Sequence, residues 1–279
     1  MIESVLETPV IPAQRATTMF AQPPMTTIRW ATYEFALKLL SPLMLDRMTQ
    51  EQLVGLITGQ KVDYPKDEPL ETKALRKMYS DKYKNDMPDG LFVVPRDNVY
   101  AMLRDAGEVV QYGSGKNDRI TLSTKGTKLY NMIRLHEPFF QILGLDGKPA
   151  EWVVDLRKGN ATQGSGAVPI IRARFDEGGL VGHVDLNVDL LSEEKMKELF
   201  TVGGIYQGLC SGRPAKKMPY GQVALTHLKW IGGADPKKST ARAAMGTKRG
   251  FKKTSGDGAP VNRLEEVDSN GPDGNSPAY

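Results

Sequence analysis

VPIIRARFDEGGLVGHVDLNVDL (168–190) decides how this chain is read. In its first half Ile171, Ala173 and Phe175 share one face of an extended segment, and Arg172 and Arg174 share the other. Asp176–Gly179 supplies turn residues. Leu180, Gly182, Val184, Leu186 and Val188 then alternate with Val181, His183, Asp185, Asn187 and Asp189. The pattern predicts a hairpin whose second strand keeps one face in water.

Moving toward the C-terminus, Ser192 is placed to cap a helix, with Glu193 and Glu194 at the positive end of its dipole. Leu191 and Met196 stand at the two positions of a hydrophobic staple. That helix stops near Gly203–Gly204. A Gly- and Lys-rich loop, GLCSGRPAKKMPYG (208–221), leads into a last strand, QVALTHLKW (222–230). Toward the N-terminus, TTIRWATYEFALKLL (26–40) reads as the first strand and Pro42 stops it. Thr49 to Gly59 reads as an amphipathic helix with Leu53, Leu56 and Ile57 on its apolar face, and Glu71–Lys84 as a second. LFVV (91–94) reads as a strand. Pro95 then starts a helix whose Val99, Met102, Leu103 and Ala106 recur at helical spacing, with Gly107 as a left-handed stop. Further strand-like pieces lie near Ile120, Tyr130 and Trp152–Leu156, and KGNATQGSG (158–166) reads as a flexible segment.

The order strand, helix, strand, strand, helix, strand is the ferredoxin-like arrangement, an α+β class with an antiparallel sheet and both helices on one face. Its other face is left free, the surface that RNA-recognition folds use. The expected organisation is an extended arm over 1–25, a domain with insertions over 26–231, and a disordered tail over 232–279. The arm carries Pro9, Pro12, Pro23 and Pro24 and no sustained pattern.

Across 279 residues the chain has 37 Lys+Arg, 33 Asp+Glu, 40% apolar and 25% charged residues, ordinary values that exclude wholesale disorder. The net charge of +4 is unevenly spread. From Pro236 to Lys253 lie Lys237, Lys238, Arg242, Lys248, Arg249, Lys252 and Lys253 with no acid. Beyond them come Asp257, Glu265, Glu266, Asp268 and Asp273 against Arg263 alone. A basic arm suits a polyanion; the bland alternative is a solubilising tail whose halves attract each other. One cysteine excludes a disulfide framework and a Cys-based zinc cluster. No apolar run suits a membrane span, and MIESVLETPVIPAQ has no signal-peptide pattern, so a cytoplasmic location is expected.

Among candidate site residues the loop stands first. Gly203, Gly204, Gly208, Gly212 and Gly221 would let backbone approach a phosphate, and Arg213, Lys216 and Lys217 would add charge. A long solvated turn is the plain alternative. Arg172 and Arg174 would either line the same nucleic-acid track or pair with neighbouring acids. Trp30, Trp152 and Trp230 read as core more readily than as base-stacking platforms. His136, His183 and His227 are scattered along the chain and read as structural, so no catalytic residue is assigned. Asp185, Asp189, Glu193 and Glu194 do not make a magnesium site, because strand exposure and the helix dipole explain half of them. Cys210 lies where nearby cations would lower its pKa, but without a histidine base. No Walker or dinucleotide-binding glycine motif is present. No cofactor and no metal are expected.

YEFALKLLSPL (33–43), LFVVPRDNVYAMLRDAG (91–107), FDEGGLVGHVDLNVDL (175–190) and GGIYQGLCSGRPAKKMPYGQV (203–223) come in an order that resembles the RAMP superfamily. That group includes the guide-RNA-binding backbone subunits of CRISPR effector complexes, and relatives encoded by phages or mobile elements look alike. The glycines here are spread more widely than in the superfamily's own late loop. The resemblance implies a cytoplasmic ribonucleoprotein of antiviral defence, its copies or partner subunits arrayed along single-stranded RNA, or DNA. Some members cleave RNA with a histidine or a loop aspartate, but no residue here matches those positions. The expected function is therefore non-catalytic binding of single-stranded nucleic acid, RNA first. The alternatives are a phage-type single-stranded DNA-binding or annealing protein, a metal-independent endoribonuclease, and a structural assembly protein.

Overall fold

The computed structural model describes residues 28–60, 67–85, 87–113, 115, 118–122, 126–160 and 167–238. The N-terminal arm, the 161–166 part of the Gly-rich segment and the tail beyond Lys238 lie outside the described residues. The strands are β1 (Trp30–Leu39), β2 (Leu43–Leu45), β3 (Ser80–Lys84), β4 (Met87–Pro95), β5 (Thr121–Leu122), β6 (Gly126–Thr127), β7 (Ile133–Leu135), β8 (Phe139–Leu143), β9 (Val153–Asn160), β10 (Ala167–Phe175), β11 (Gly179–Asn187) and β12 (Val223–Gly233). The helices are α1 (Gln50–Thr58), α2 (Leu70–Leu75), α3 (Arg96–Ala106), α4 (Leu129–Met132) and α5 (Glu193–Val202).

The large sheet runs β12-β1-β11-β8-β4-β3, with β7 also paired to β11. All its pairings are antiparallel. With α3 and α5 as the two helices, β1-α3-(β7/β8)-β11-α5-β12 is the ferredoxin-like order, to which β4 and β3 add a hairpin at one edge. Two smaller sheets, β2-β10-β9 and β5-β6, complete the α+β architecture.

Alternation in β1 puts Ala31, Tyr33, Phe35, Leu37 and Leu39 in the core. There Phe35 packs 5.1 Å from the Phe200 ring of α5 and 5.7 Å from the Phe140 ring of β8. The buried stripe Val99, Met102, Leu103 and Ala106 of α3 joins Met196, Leu199 and Phe200 of α5 against the same face. Ser192 caps α5 through the Lys195 amide, and both staple residues, Leu191 and Met196, are buried.

Several sequence expectations are corrected. β10 and β11 do not form a hairpin: β10 pairs with β9 and β2, while β11 pairs with β1, β7 and β8. The turn residues 176–178 carry the chain from one sheet into the other. Residues 40–42 do the same between β1 and β2, so two segments bend side by side. The second ferredoxin strand is instead β7 and β8, broken at His136–Pro138. Glu71–Lys84 is not one helix but α2 followed by β3, and Tyr130 lies in α4. Pro95 ends β4 and caps α3, and Gly107 stays right-handed.

The helix predicted at Thr49–Gly59 forms, with a full capping box between Thr49 and Gln52. Its predicted apolar face is solvent-exposed, however, at Leu53, Leu56 and Ile57, and only Gly55 is buried. Local capping rather than core burial therefore holds α1. Thr49→Ala is expected to cost about 1 kcal/mol, read as a loss of helical signal and protease resistance confined to this segment. Of the three tryptophans, Trp152 packs against the core, whereas Trp230 is exposed and Trp30 lies under the Arg134 guanidinium, 4.2 Å away.

Candidate nucleic-acid interface

The loop begins as α5 runs on into a π-turn, Gly203–Gln207, closed by the Gly208 amide on the Gly203 carbonyl at 2.8 Å. The glycines have packing reasons of their own. A Cβ at Gly204 would stand 2.2 Å from the Val223 carbonyl oxygen, and Gly203 lies against Met102. Gly221 combines φ +68° with a Cβ position 2.1 Å from the Leu209 carbonyl oxygen. No side chain fits there without moving backbone. Gly208 and Gly212 also have positive φ.

These contacts tie the loop to β2. The Ser211 amide donates to the Met44 carbonyl at 3.0 Å, and the Gly221 amide to Pro42 at 2.9 Å. So anchored, the loop turns through Pro214–Lys216 to Lys217, which is itself left-handed. Lys216 and Lys217 reach solvent. Arg213 is half-buried and lies 3.4 Å from Asp105 of α3. Arg213 and Lys216 line a cleft of about 300 Å³ with Asn98, Ser211, Tyr79 and Asp46.

Asp46 and Asp155 connect the other two predicted cations to this place. Arg172 donates to Asp46 at 2.8 Å, and Lys77 lies 3.3 Å from the same carboxylate. Arg174 pairs with Asp176 at 2.7 Å and reaches the buried Asp155 at 3.2 Å. Asp155 also holds Arg157, whose guanidinium lies over the Tyr220 ring of the loop at 4.3 Å. Arg172 and Arg174 do share one strand face, and both are engaged by carboxylates. Asp46 thus meets Arg172 and Lys77 and shares the cleft lining with Arg213 and Lys216, while Arg174 and Arg157 share Asp155. Sequence reading ranks Arg157 below these cations, since it falls in a segment read as flexible. Tyr220 in the loop was the one aromatic signal that could have pointed to it.

Cys210 behaves oppositely to the expectation from its charged loop. Burial pushes the thiol up to about 12, against a smaller downward pull from Arg213 and a hydrogen bond from Asn98. Native Cys210 should therefore react with a thiol reagent at pH 8 far more slowly than in urea, and equal rates would refute the burial argument. The folded state holds this proton more tightly than the unfolded one, so stability contributed by Cys210 is present below about pH 9 and is lost as pH rises toward 12.

The histidines are not scattered in space. A β-bulge separates the pairs Ala36–His227 and Leu37–Leu225, so His227 turns away from the core-side residues Val223 and Leu225. It joins His183 and His136 on the sheet face opposite α3 and α5. Each has a different carboxylate: Asp185 at 2.8 Å from His136, Glu137 at 2.5 Å from His183 and Glu34 at 3.6 Å from His227. Asp189 and Glu193, weighed earlier as metal ligands, are engaged by Arg29 and by Tyr33 and Lys197. Among the described residues no group of three His, Cys, Asp or Glu side chains could hold a metal ion. No helix there is long and apolar enough to cross a membrane.

The fold and this surface define an antiparallel α+β protein of ferredoxin-like order with a basic loop cleft at one end of its sheet. No family model matches the chain, and no curated protein matches it. Among solved structures it is similar to a chain in the cryo-EM structure of the Type III-B Cmr-beta bound to cognate target RNA. The identity is 11% and the TM-score 0.36, over 74% of this chain and 62% of that one. The chain thus spans less than two thirds of the length of that neighbour.

Proposed function

We propose that this protein binds single-stranded RNA along the 208–221 loop and the adjoining β2-β10-β9 sheet. The observation that carries this reading is the loop cleft. Arg213 and Lys216 converge there with the Asn98 amide and the Ser211 hydroxyl, and the backbone holding them is fixed to β2. Cations held in advance by a rigid support lose little freedom when a phosphate arrives. Lys217 extends the charge outward, and Arg172, Arg174 and Arg157 continue it across the sheet. The carboxylates among them orient the guanidiniums and leave some of their donors for a backbone. The basic run at 236–253 adds affinity that falls with salt, and the protein acts as a subunit of a ribonucleoprotein arrayed along the strand.

The test is fluorescence anisotropy of the full chain with labelled single-stranded RNA and DNA of equal sequence, at low and physiological salt. A variant with Lys248, Arg249, Lys252 and Lys253 changed to Gln runs alongside. Tight RNA binding retained by that variant supports a site on the folded part. A preference for DNA favours the annealing-protein alternative. Self-association without any nucleic-acid binding would replace the proposal with a structural assembly role.

A further inference from the structure

One buried carboxylate is only half used. Glu68 stands just before α2, and its side chain is 7% exposed. Arg76, the C-terminal cap of that helix, donates through Nε to Glu68 Oε1 at 2.9 Å, and its Nη2 lies 2.9 Å from the same oxygen. An arginine facing a carboxylate frequently engages both oxygens in two parallel bonds. Here both guanidinium contacts fall on one oxygen, and Oε2 is buried with no hydrogen-bond donor among the described residues. A buried oxygen in that position destabilises the fold until something supplies a donor.

Glu68 lines a cavity of about 150 Å³ between α1, α2 and β10. A cavity of about that size takes one six-membered aromatic ring. Pro169 and Ile171 of β10 give it an apolar wall, against which a flat ring can pack. The other polar groups round it are mainly donors. Gln52 has its side-chain oxygen committed to the Thr49 amide at 2.9 Å, so its N–H₂ is the group left for a ligand. Lys73 and Lys77 add positive charge. The lining therefore suits a single ring that carries one amino donor and several acceptors, with a negative charge nearby. Lys77 also pairs with Asp46, which lines the loop cleft with Arg213 and Lys216, so the cavity adjoins the surface assigned above to phosphates.

We propose that this cavity is a pyrimidine subsite that takes cytosine in preference to uracil. The reading rests on the RNA-binding function above and adds base selectivity to it. The 4-amino group of cytosine donates to Glu68 Oε2, a pairing that proteins use to read this base. Gln52 and the lysines donate to the ring acceptors O2 and N3. Uracil carries an oxygen where cytosine has its amino group, so two acceptors would face each other at Glu68. Adenine offers an amino group beside an acceptor nitrogen, but its two fused rings need more room than a one-ring cavity gives.

The experiment is fluorescence anisotropy of the full chain with three labelled oligoribonucleotides of one length. They carry cytosine, uracil or pyrimidin-2-one, the cytosine analogue that lacks only the 4-amino group. The cytosine strand is expected to bind about 10-fold more tightly than either of the others. In Glu68→Gln the amide oxygen keeps the Arg76 contacts and the amide N–H₂ takes the place of Oε2. That variant should bring the cytosine-to-uracil ratio to one or below, with its melting curve recorded to show that it folds. If it does not fold, the pyrimidin-2-one strand on the parent protein decides alone. Equal binding of the three strands overturns the proposal and leaves the RNA-binding function standing. A cytosine preference that persists in pyrimidin-2-one or in folded Glu68→Gln also overturns it. Failure to bind any strand brings down the binding function, and free nucleotides then decide the cavity. Cytidine monophosphate should raise the melting temperature more than uridine monophosphate does, and equal shifts overturn the subsite.

Discussion

Changing Arg213 and Lys216 together to alanine should weaken binding of single-stranded RNA about 10- to 100-fold at physiological salt. The two cations line one cleft, and under the proposed function each would meet a phosphate. Losing two such contacts should also flatten the dependence of log affinity on log salt by about 1.4, at about 0.7 per phosphate on a single strand. Removing Arg213 uncovers Asp105, now 3.4 Å from it, and adds a repulsive charge to the loss. Arg172→Ala is the informative contrast. Arg172 is mostly covered and tied to Asp46, so the same titration should show a smaller change in salt slope. An unchanged affinity and slope in the double variant would remove the loop from the interface.

A second large effect is expected in the core. Phe35 is fully buried between the rings of Phe140 and Phe200, so it joins the central strand to β8 and to α5 at one point. Phe35→Ala should cost about 3–5 kcal/mol, seen as a lower urea midpoint with an unchanged slope. A loss below about 1 kcal/mol would mean that the rings close over the cavity, and that this contact is not central to the core.

Much of the fold was legible because burial writes a local period into the chain. The alternation in 30–39, the stripe Val99–Met102–Leu103–Ala106 and the Ser192 cap with its staple each depend on neighbours within a few residues. The misread parts depend on long-range partners. The residues at 176–179 have reversal chemistry, and nothing local says whether a turn returns the chain to its own sheet or hands it to another. Leu53, Leu56 and Ile57 sit at helical spacing, but spacing cannot tell a buried face from a bare one. Strict alternation would put His227 on the face of Val223 and Leu225, but a bulge shifts the period without leaving a mark on composition.

The candidate site was legible as a charged loop and illegible as an arrangement. Arg213, Lys216 and Lys217 are contiguous and easily noticed. The glycines drew attention for phosphate binding, yet Gly204 and Gly221 answer to carbonyls 2.2 and 2.1 Å from where a Cβ would stand. Asp46 was invisible as the partner of Arg172, 126 residues away, and Asp155 as the partner of Arg174 on a neighbouring strand. The histidine–carboxylate pairs were hidden for the same reason: His136 and Asp185 are brought together only by the pairing of β11 with β7.

The position of β1 also bears on how the chain is made. Its two neighbours in the sheet are β11 and β12, the last strands among the described residues to be synthesised. At ribosomal speed the segment WATYEFALKL waits roughly 10–40 s after leaving the exit tunnel before both partners exist. Throughout that interval it is an apolar strand with two open edges, the kind that pairs with another chain as readily as with its own. A ribosome stalled between residues 40 and 180 would therefore hold a nascent chain prone to aggregate. Yield of the protein in cells should depend on the speed of translation and the supply of chaperones more than on the stability of the finished fold.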